Sequence, residues 1–551
     1  MKSHDHLRTR LERLYPAEEA LACWHKLEPL LVEPQIEGDS ELWSERDAFL
    51  ITYGDSVKEE GAFPLEALTD FVRQRLGSSI SLVHILPFFP FTSDDGFSIS
   101  DYETVRPDLG DWSHVTALAE SHDLMFDLVL NHCSASHEWF QQFLRGEEPG
   151  NGFFHAMDPE LDLSETVRPR THPLLTPFET AEGTKHVWTT FSADQVDLNF
   201  SNPDVLIAFL KVLIRYAQQG ARMIRLDAIA FLWKEVGTTS LHLPQTHEVV
   251  KLMRDVLDIV APQVVLLTET NVPHKENVSY FGEGDEARMV YQFPLPPLLM
   301  ISLRNGDATP LSSWAKDLEP PPEGCTFFNF TASHDGIGVR PLEGLVPQEQ
   351  VNALAAELKE EGARVNERSH PDGSTTPYEL NVTYFSAMRK AGESKEIQRK
   401  RFLLSQTIPM SLQGIPAFYI HSFTATENDQ EGVARTGQNR SINRKQWKKQ
   451  DLDVLLEDPQ SDSAVVLKEL THRLELRQTL PEFHPDVSQE ILDFGPSVFA
   501  VKREGLVALH NVSLEEVSVS VALERTLYQD IGVEVGEGSV LLPPLTMCWG
   551  T

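Results

Sequence analysis

The stretch "RMIRLDAI" (222–229) decides how the rest of the sequence is read. Met223, Ile224, Leu226 and Ile229 give it the apolar character of a buried β-strand, yet Arg225 and Asp227 interrupt it. Side chains alternate along a strand, so these two opposite charges share one face. Seven other short apolar runs end in polar or charged residues in the same way. They are "DAFLITYGD" (47–55), "SLVHILPFFP" (81–90), "LMFDLVLNH" (124–132), "VVLLTETN" (264–271), "ARMVYQF" (287–293), "TFFNFTASHD" (326–335) and "GIPAFYIHS" (414–422). Helical stretches separate most of them, and eight such units predict an α/β fold, a (β/α)8 TIM barrel of parallel strands. Buried parallel strands lack the polar alternation of a surface sheet, as these runs do.

The remaining chain divides around that barrel. Residues 1–46 are charged with a helical apolar rhythm and predict an N-terminal helical extension. The barrel runs through 47–132 and 206–478. The gap between is too long for a simple crossover and predicts an inserted subdomain, 133–205, after strand 3. The stretch 341–397 reads as a long loop over the same face. From 479 to 551 short alternating runs such as "LVALHNVS" and "VSVSVAL" predict a small C-terminal antiparallel β domain.

The chain has 551 residues, with 47 Lys and Arg against 83 Asp and Glu, a formal net charge of −36. That balance argues against a nucleic-acid or anionic-membrane partner, because both are held by basic surface. Any anionic substrate therefore needs local cations. Four cysteines lie far apart without CxxC spacing, which indicates neither a disulfide framework nor a zinc site and fits a reducing compartment. The N-terminal residues lack an apolar signal core, and no apolar run is long enough to span a bilayer. The expectation is a soluble cytoplasmic protein, monomer or homodimer.

In barrels of this kind, functional groups project from the C-terminal ends of the strands. Asp127, Asp227, Glu269 and Asp335 all follow apolar runs at comparable positions, joined by His132, His334 and Arg225. One carboxylate at a strand end is ordinarily a cap or a surface ion pair. Four converging on one mouth with two histidines and an arginine point instead to chemistry. Several carboxylates around one centre suit glycosyl transfer, which needs a general acid for the leaving oxygen and a carboxylate to attack or stabilise the anomeric carbon. An arginine beside the nucleophile is expected to keep it ionised. A metal hydrolase is the competing chemistry, but no HxH or HExxH spacing supplies ligands.

"DLVLNH" (127–132), "IRLDAIA" (224–230), "LLTETN" (266–271) and "FTASHDG" (330–336) resemble, in order and spacing, the four sequence regions of the α-amylase family of glycoside hydrolases. "FPFTSDDGFSISDYETVRPDLGDWSHV" (89–115), "WTTFSADQVDLNFSNPDV" (188–205) and "RSINRKQW" (440–447) resemble the sucrose-phosphorylase subgroup. The resemblance implies Asp227 as nucleophile with Arg225 as its partner, Glu269 as acid/base and Asp335 as transition-state stabiliser. It implies that Asp94, His132, His334 and Arg444 hold the glucosyl ring, with Phe97 as its apolar platform. It further implies a retaining double displacement with inorganic phosphate as co-substrate, no cofactor and no metal ion.

The subgroup includes phosphorylases of sucrose, sucrose 6′-phosphate, glucosylglycerol and glucosylglycerate. The N-terminal extension, "SYFGEGDEARMVYQFPLPP" (279–297) and "LTETNVPHKENV" (267–278) resemble the glucosylglycerate-specific members, while Phe231, Asn271 and Glu379 stand where the sucrose pattern has Tyr, His and Gln. Phosphate and glycerate are both anions, and the expected contacts are Arg170 in "VRPRTHP" (167–173), Tyr378, and Lys275 in "PHKE" (273–276).

Overall fold

The computed structural model describes residues 4–32, 41–170, 172–369 and 374–551. Residues 33–40 of the helical extension, Thr171 of "VRPRTHP" and residues 370–373 within 341–397 lie outside the described residues.

Eight strands close a barrel: β1 Phe49–Thr52, β2 Leu82–Ile85, β3 Asp123–Val129, β4 Ala221–Asp227, β5 Val265–Thr268, β6 Met289–Tyr291, β7 Thr326–Phe330 and β8 Ile415–Tyr419. Every neighbouring pair is parallel and sequential, and β1 closes the ring against β8. These are the eight apolar runs of the sequence. Their residues are buried on both faces because the barrel interior is packed and helices cover the outside. Inside, the rings of Phe49 and Phe328 meet edge to face at 4.8 Å. Each fully buried aliphatic or aromatic side chain contributes roughly 1.5–3 kcal/mol.

Two features depart from the expectation. The run read as one strand to His132 is broken, since β3 ends at Val129 and His132–Ser134 pairs antiparallel with Gln195–Asp197. His132 is thereby steered over the barrel mouth by the inserted segment. That segment also holds a three-stranded sheet of Ala156–Met157, Leu175–Thr180 and Gly183–Trp188. The stretch 341–397 is more than a loop. It contains helix Gln348–Glu360 and a hairpin, Arg364–Ser369 with Thr375–Asn381, whose second strand pairs with Ile337–Gly338. At the C-terminus, a five-stranded sheet and a three-stranded antiparallel sheet enclose a second apolar core that includes Val498, Leu509, Val540 and Cys548.

At the other end, α1 (His4–Leu14) and α2 (Ala17–Leu27) pack against two outer helices of the barrel, α3 (Pro203–Gln218) and α4 (Pro244–Val260). Leu7, Leu11, Trp24 and Leu27 are buried there. Arg10 is only 2% exposed, and its guanidinium reaches Asp255, Glu248 at 2.9 Å and Asp285 at 3.4 Å. Removing one partner of a buried ion pair costs about 3–5 kcal/mol. Arg10→Ala is therefore expected to lower the thermal midpoint and to speed amide hydrogen exchange over residues 4–27 before the barrel strands. Unchanged exchange in that segment would show that α1 docks by apolar packing alone.

Candidate active site

At the level of Arg225 on β4, its registered neighbour on β3 is Asp127. Both lie inside the barrel, a full residue pair below Asp227, so Asp127 is not the strand-end group that the sequence suggested. His84 Nε2 on β2 lies 2.6 Å from Asp127 Oδ2, and Arg225 Nη1 donates to Asp127 Oδ1. The same Nη1 donates to Asp227 Oδ1 at 2.7 Å, and Arg225 Nε donates to the Tyr291 hydroxyl at 3.1 Å. Arg225 Nη2 is 3.8 Å from Glu269 Oε2.

The ends of β4 and β5 are stitched together. Glu269 N donates to Leu226 O at 3.1 Å, and Ala228 N donates to Glu269 Oε2 at 3.0 Å. Ala228 takes a left-handed conformation, φ 48°, and Asn271 does so two residues after the acid, φ 46°. Non-glycine residues held there signal backbone constrained by its surroundings, as functional sites often are.

Burial pushes the Asp227 carboxyl well up from its ordinary value, with Glu269 and Asp127 reinforcing the rise against Arg225. The expected pull of Arg225 towards the ionised form is present, and burial opposes it. Arg225 already neutralises Asp127, which lies below its ordinary value despite its burial because Arg225 and His84 flank it. Burial also raises Glu269. Two buried carboxyls facing one partly spent cation favour a single shared proton. Arg225 makes the 2.7 Å contact with Asp227 and stands 3.8 Å from Glu269, so its pull towards the ionised form falls more on Asp227.

Asp335 follows β7 by five residues. Its Oδ1 is 2.7 Å from Arg440 Nη1, and its Oδ2 is 3.5 Å from His334 Nε2. Burial opposes its charge, yet His334, Arg440, Arg444 and Arg225 hold it well below the carboxylate range. Burial also drives the His334 imidazole well below its ordinary value, so at neutral pH the guanidiniums carry that effect. Arg440 simultaneously donates from Nη2 to Glu379 Oε1 at 2.7 Å. Asn366 Nδ2 donates to the other oxygen of this buried carboxylate at 2.8 Å. Against burial, Arg440 keeps Glu379 below its ordinary value.

The Phe97 ring stacks on His334, centroids 4.6 Å apart and 5° from parallel, with Arg225 beside it at 5.6 Å. The Phe97 carbonyl accepts from His132 Nε2 at 2.8 Å and from Gln195 Nε2 at 3.1 Å. Gln195 Nε2 also contacts Asp94 Oδ2 at 3.2 Å. Arg444, expected on the sugar, donates from Nε to His334 O at 2.8 Å and from Nη1 to Asp95.

Arg225, Glu269, Asn271, His334, Asp335 and Gly338 line one cavity at the mouth. Asn271 Oδ1 is buried there without a hydrogen-bond partner among the described residues. A Cβ on Gly338 would come within 2.6 Å of that oxygen, which explains a glycine at this point. Arg170 lines a separate cavity of about 470 Å3 with His172, Phe191 and Ser192. It acts electrostatically on Tyr378 and Glu379, which ties the two regions. Lys275 is exposed on the short helix His274–Asn277 and lines neither cavity.

Sequence reading missed Arg440, Gln195, His84 and Lys234. Arg440 opens the quoted "RSINRKQW", four residues from Arg444. The Lys234 ammonium is buried between Asn131 Oδ1 at 2.6 Å and Asp197 Oδ2 at 2.8 Å, joining the barrel to the inserted segment. Among the described residues no group of three or more His, Cys, Asp or Glu is arranged to hold a metal ion, and no helix is long and apolar enough to cross a membrane.

Comparison with known proteins agrees with this geometry. A family model described as "Alpha amylase, catalytic domain" matches residues 74–316. A glucosylglycerate phosphorylase of Allomeiothermus silvanus is 50% identical over 466 residues, 84% of each chain. One of Escherichia coli is 43% identical over 516 residues, 92% of each chain. The chain belongs to the α-amylase family, on its phosphorylase branch. The crystal structure of sucrose 6F-phosphate phosphorylase from Thermoanaerobacter thermosaccharolyticum shares the fold of this α-amylase-family chain. Its TM-score is 0.74 at 24% identity, over 86% of this chain and 95% of that one.

The ion pairs at Arg440 give a pH test. In the native protein, Asp335 and Glu379 lie below their ordinary values, so they add stability above about pH 4 that fades as pH falls. In Arg440→Met both carboxyls rise from their native positions, Glu379 more than Asp335, which keeps His334, Arg444 and Arg225, so part of the stability present above about pH 4 is lost. The gap in unfolding free energy between the two proteins should widen from pH 4 to pH 7, reaching about 3 kcal/mol. A gap independent of pH would mean that Arg440 contributes packing only.

Proposed function

We propose that this protein is a retaining glycoside phosphorylase that converts 2-O-α-D-glucosyl-D-glycerate and phosphate into α-D-glucose 1-phosphate and D-glycerate. One observation carries the reading: identities of 50% and 43% to glucosylglycerate phosphorylases, over 84% and 92% of the chain. The catalytic unit is the barrel, 47–132 and 206–478, with 133–205 and 341–397 covering its mouth.

Asp227 attacks C1 of the glucosyl unit as the bond from C1 to the glycerate oxygen breaks, and Glu269 protonates that leaving oxygen. A phosphate oxygen then attacks C1 of the glucosyl-enzyme, the bond to Asp227 breaks, and Glu269 takes a proton from the phosphate. Two inversions give net retention. The sharing of one proton between Asp227 and Glu269 supports this division of roles, because a nucleophile must start ionised and an acid protonated. Asp335, paired to Arg440, stabilises the positive anomeric carbon. Phe97, stacked on His334, offers an apolar face to the ring, while Asp94, His132 and Arg444 hold its hydroxyls. Phosphate is the second substrate and no cofactor takes part. Four free, buried cysteines suit a cytoplasmic setting.

Purified protein given phosphate and, in turn, glucosylglycerate, glucosylglycerol and sucrose should release glucose 1-phosphate fastest from glucosylglycerate. Preference for sucrose or glucosylglycerol would move the assignment to those phosphorylases, and phosphate-independent release of glucose would make it a hydrolase. Asp227→Ala should lower kcat by at least roughly 10⁴-fold, the scale of losing a covalent nucleophile. A smaller loss would assign the nucleophile elsewhere.

A further inference from the structure

Two different anions have to be held at this mouth. In a double displacement the acceptor leaves, and phosphate enters, on the same side of C1 and beside the same acid. The acceptor carboxylate therefore needs a cation that the glucose side has not already engaged. Arg225 is engaged by Asp127 and Asp227, Arg440 by Asp335 and Glu379, and Arg444 by Asp95 and the His334 carbonyl. Lys275 points to neither cavity lining.

Of the remaining guanidiniums among the described residues, Arg170 and Arg340 both act on Tyr378. Arg170 comes from the inserted segment and enters no ion pair among the described residues. Arg340 comes from the turn that follows Ile337–Gly338, two residues beyond the cavity-lining Gly338. The backbone at this point is fixed: Val339 N donates to Tyr378 O at 3.1 Å, and Ile337–Gly338 pairs with Glu379 and Leu380. Arg340 is 27% exposed, and its one ion pair within 4.0 Å among the described residues is Glu276, at 4.0 Å, beyond hydrogen-bond range. A surface arginine in a chain of charge −36 ordinarily finds a closer carboxylate; this one has only that long contact, on the segment that carries the cavity-lining Gly338. Both arginines act electrostatically on the Tyr378 hydroxyl, against the effect of its burial.

We infer that Arg340 is the specificity-determining residue for the acceptor, its guanidinium taking the glycerate carboxylate while the unpartnered Asn271 Oδ1 accepts from a glycerate hydroxyl. The inference rests on the glucosylglycerate reading above. A planar fork with two parallel N–H donors matches a carboxylate and offers nothing comparable to glycerol or a ketose.

The test runs the reaction in the synthetic direction, with α-glucose 1-phosphate as donor and D-glycerate or glycerol as acceptor. The wild-type protein should prefer glycerate. Arg340→Gln should lower the ratio of kcat/KM for glycerate over glycerol roughly 10- to 100-fold, the worth of a hydrogen-bonded charge. Arg340→Lys keeps the charge without the fork and should fall between. It carries the test if the Gln variant does not fold. A purely structural role would lower both acceptors alike. An unchanged ratio in a glycerate-using enzyme overturns the assignment of Arg340 alone; a wild-type protein that cannot use glycerate overturns the functional reading with it.

Discussion

The contact of Arg225 with two carboxylates, Asp127 level with it and Asp227 above, sets the electrostatic level of the barrel mouth. A guanidinium buried this deeply persists only with charged partners, and removing either side of such a pair costs several kcal/mol. Asp127 is the partner that settles its charge, with His84 completing the cluster from β2. Asp227 therefore receives direction from Arg225 more than neutralisation. That is a useful state for a nucleophile, because a carboxylate fully stabilised by its counter-ion would be slow to attack.

The same logic divides the acids of the site into two classes. Asp127, Asp335 and Glu379 each sit against a guanidinium and lie below their ordinary values. Asp227 and Glu269 are raised by burial and by each other. Groups whose surroundings push their proton affinities apart can take opposite roles at one pH. The three held carboxylates then suit fixed charge, and the two raised ones suit the proton-moving roles proposed for them.

The barrel was legible because burial on both faces writes continuous apolar runs, and each of the eight runs contains one strand. The acids at the strand ends were legible for the same reason, since a charge closing an apolar run stands out. Depth was not legible: that Asp127 lies level with Arg225 follows from the register between β3 and β4, which depends on how the whole ring closes. Nor was the choice between Arg440 and Arg444 open to spacing alone, because both lie on one irregular segment and their partners are 61 or more residues away. The helix Gln348–Glu360 did leave a signal, Val351, Leu354, Ala355 and Leu358 on one face. It was obscured by the Gly, Pro and Ser residues that follow it.

The division of the fold between rigid and irregular parts bears on what can vary within this family. Arg225, Asp227 and Asp127 stand on barrel strands, and Glu269 follows one directly, so the chemistry at C1 is held by the ring itself. Arg170, Asn271, Arg340 and Tyr378 lie on segments outside the ring, one of them in the insertion and another on the hairpin after β7. Such segments can exchange residues without disturbing ring closure. A chain of net charge −36 that handles two anions has to concentrate its cations there. On the assignment proposed above, a guanidinium on those segments sets the acceptor while the strand-borne groups serve the glucose.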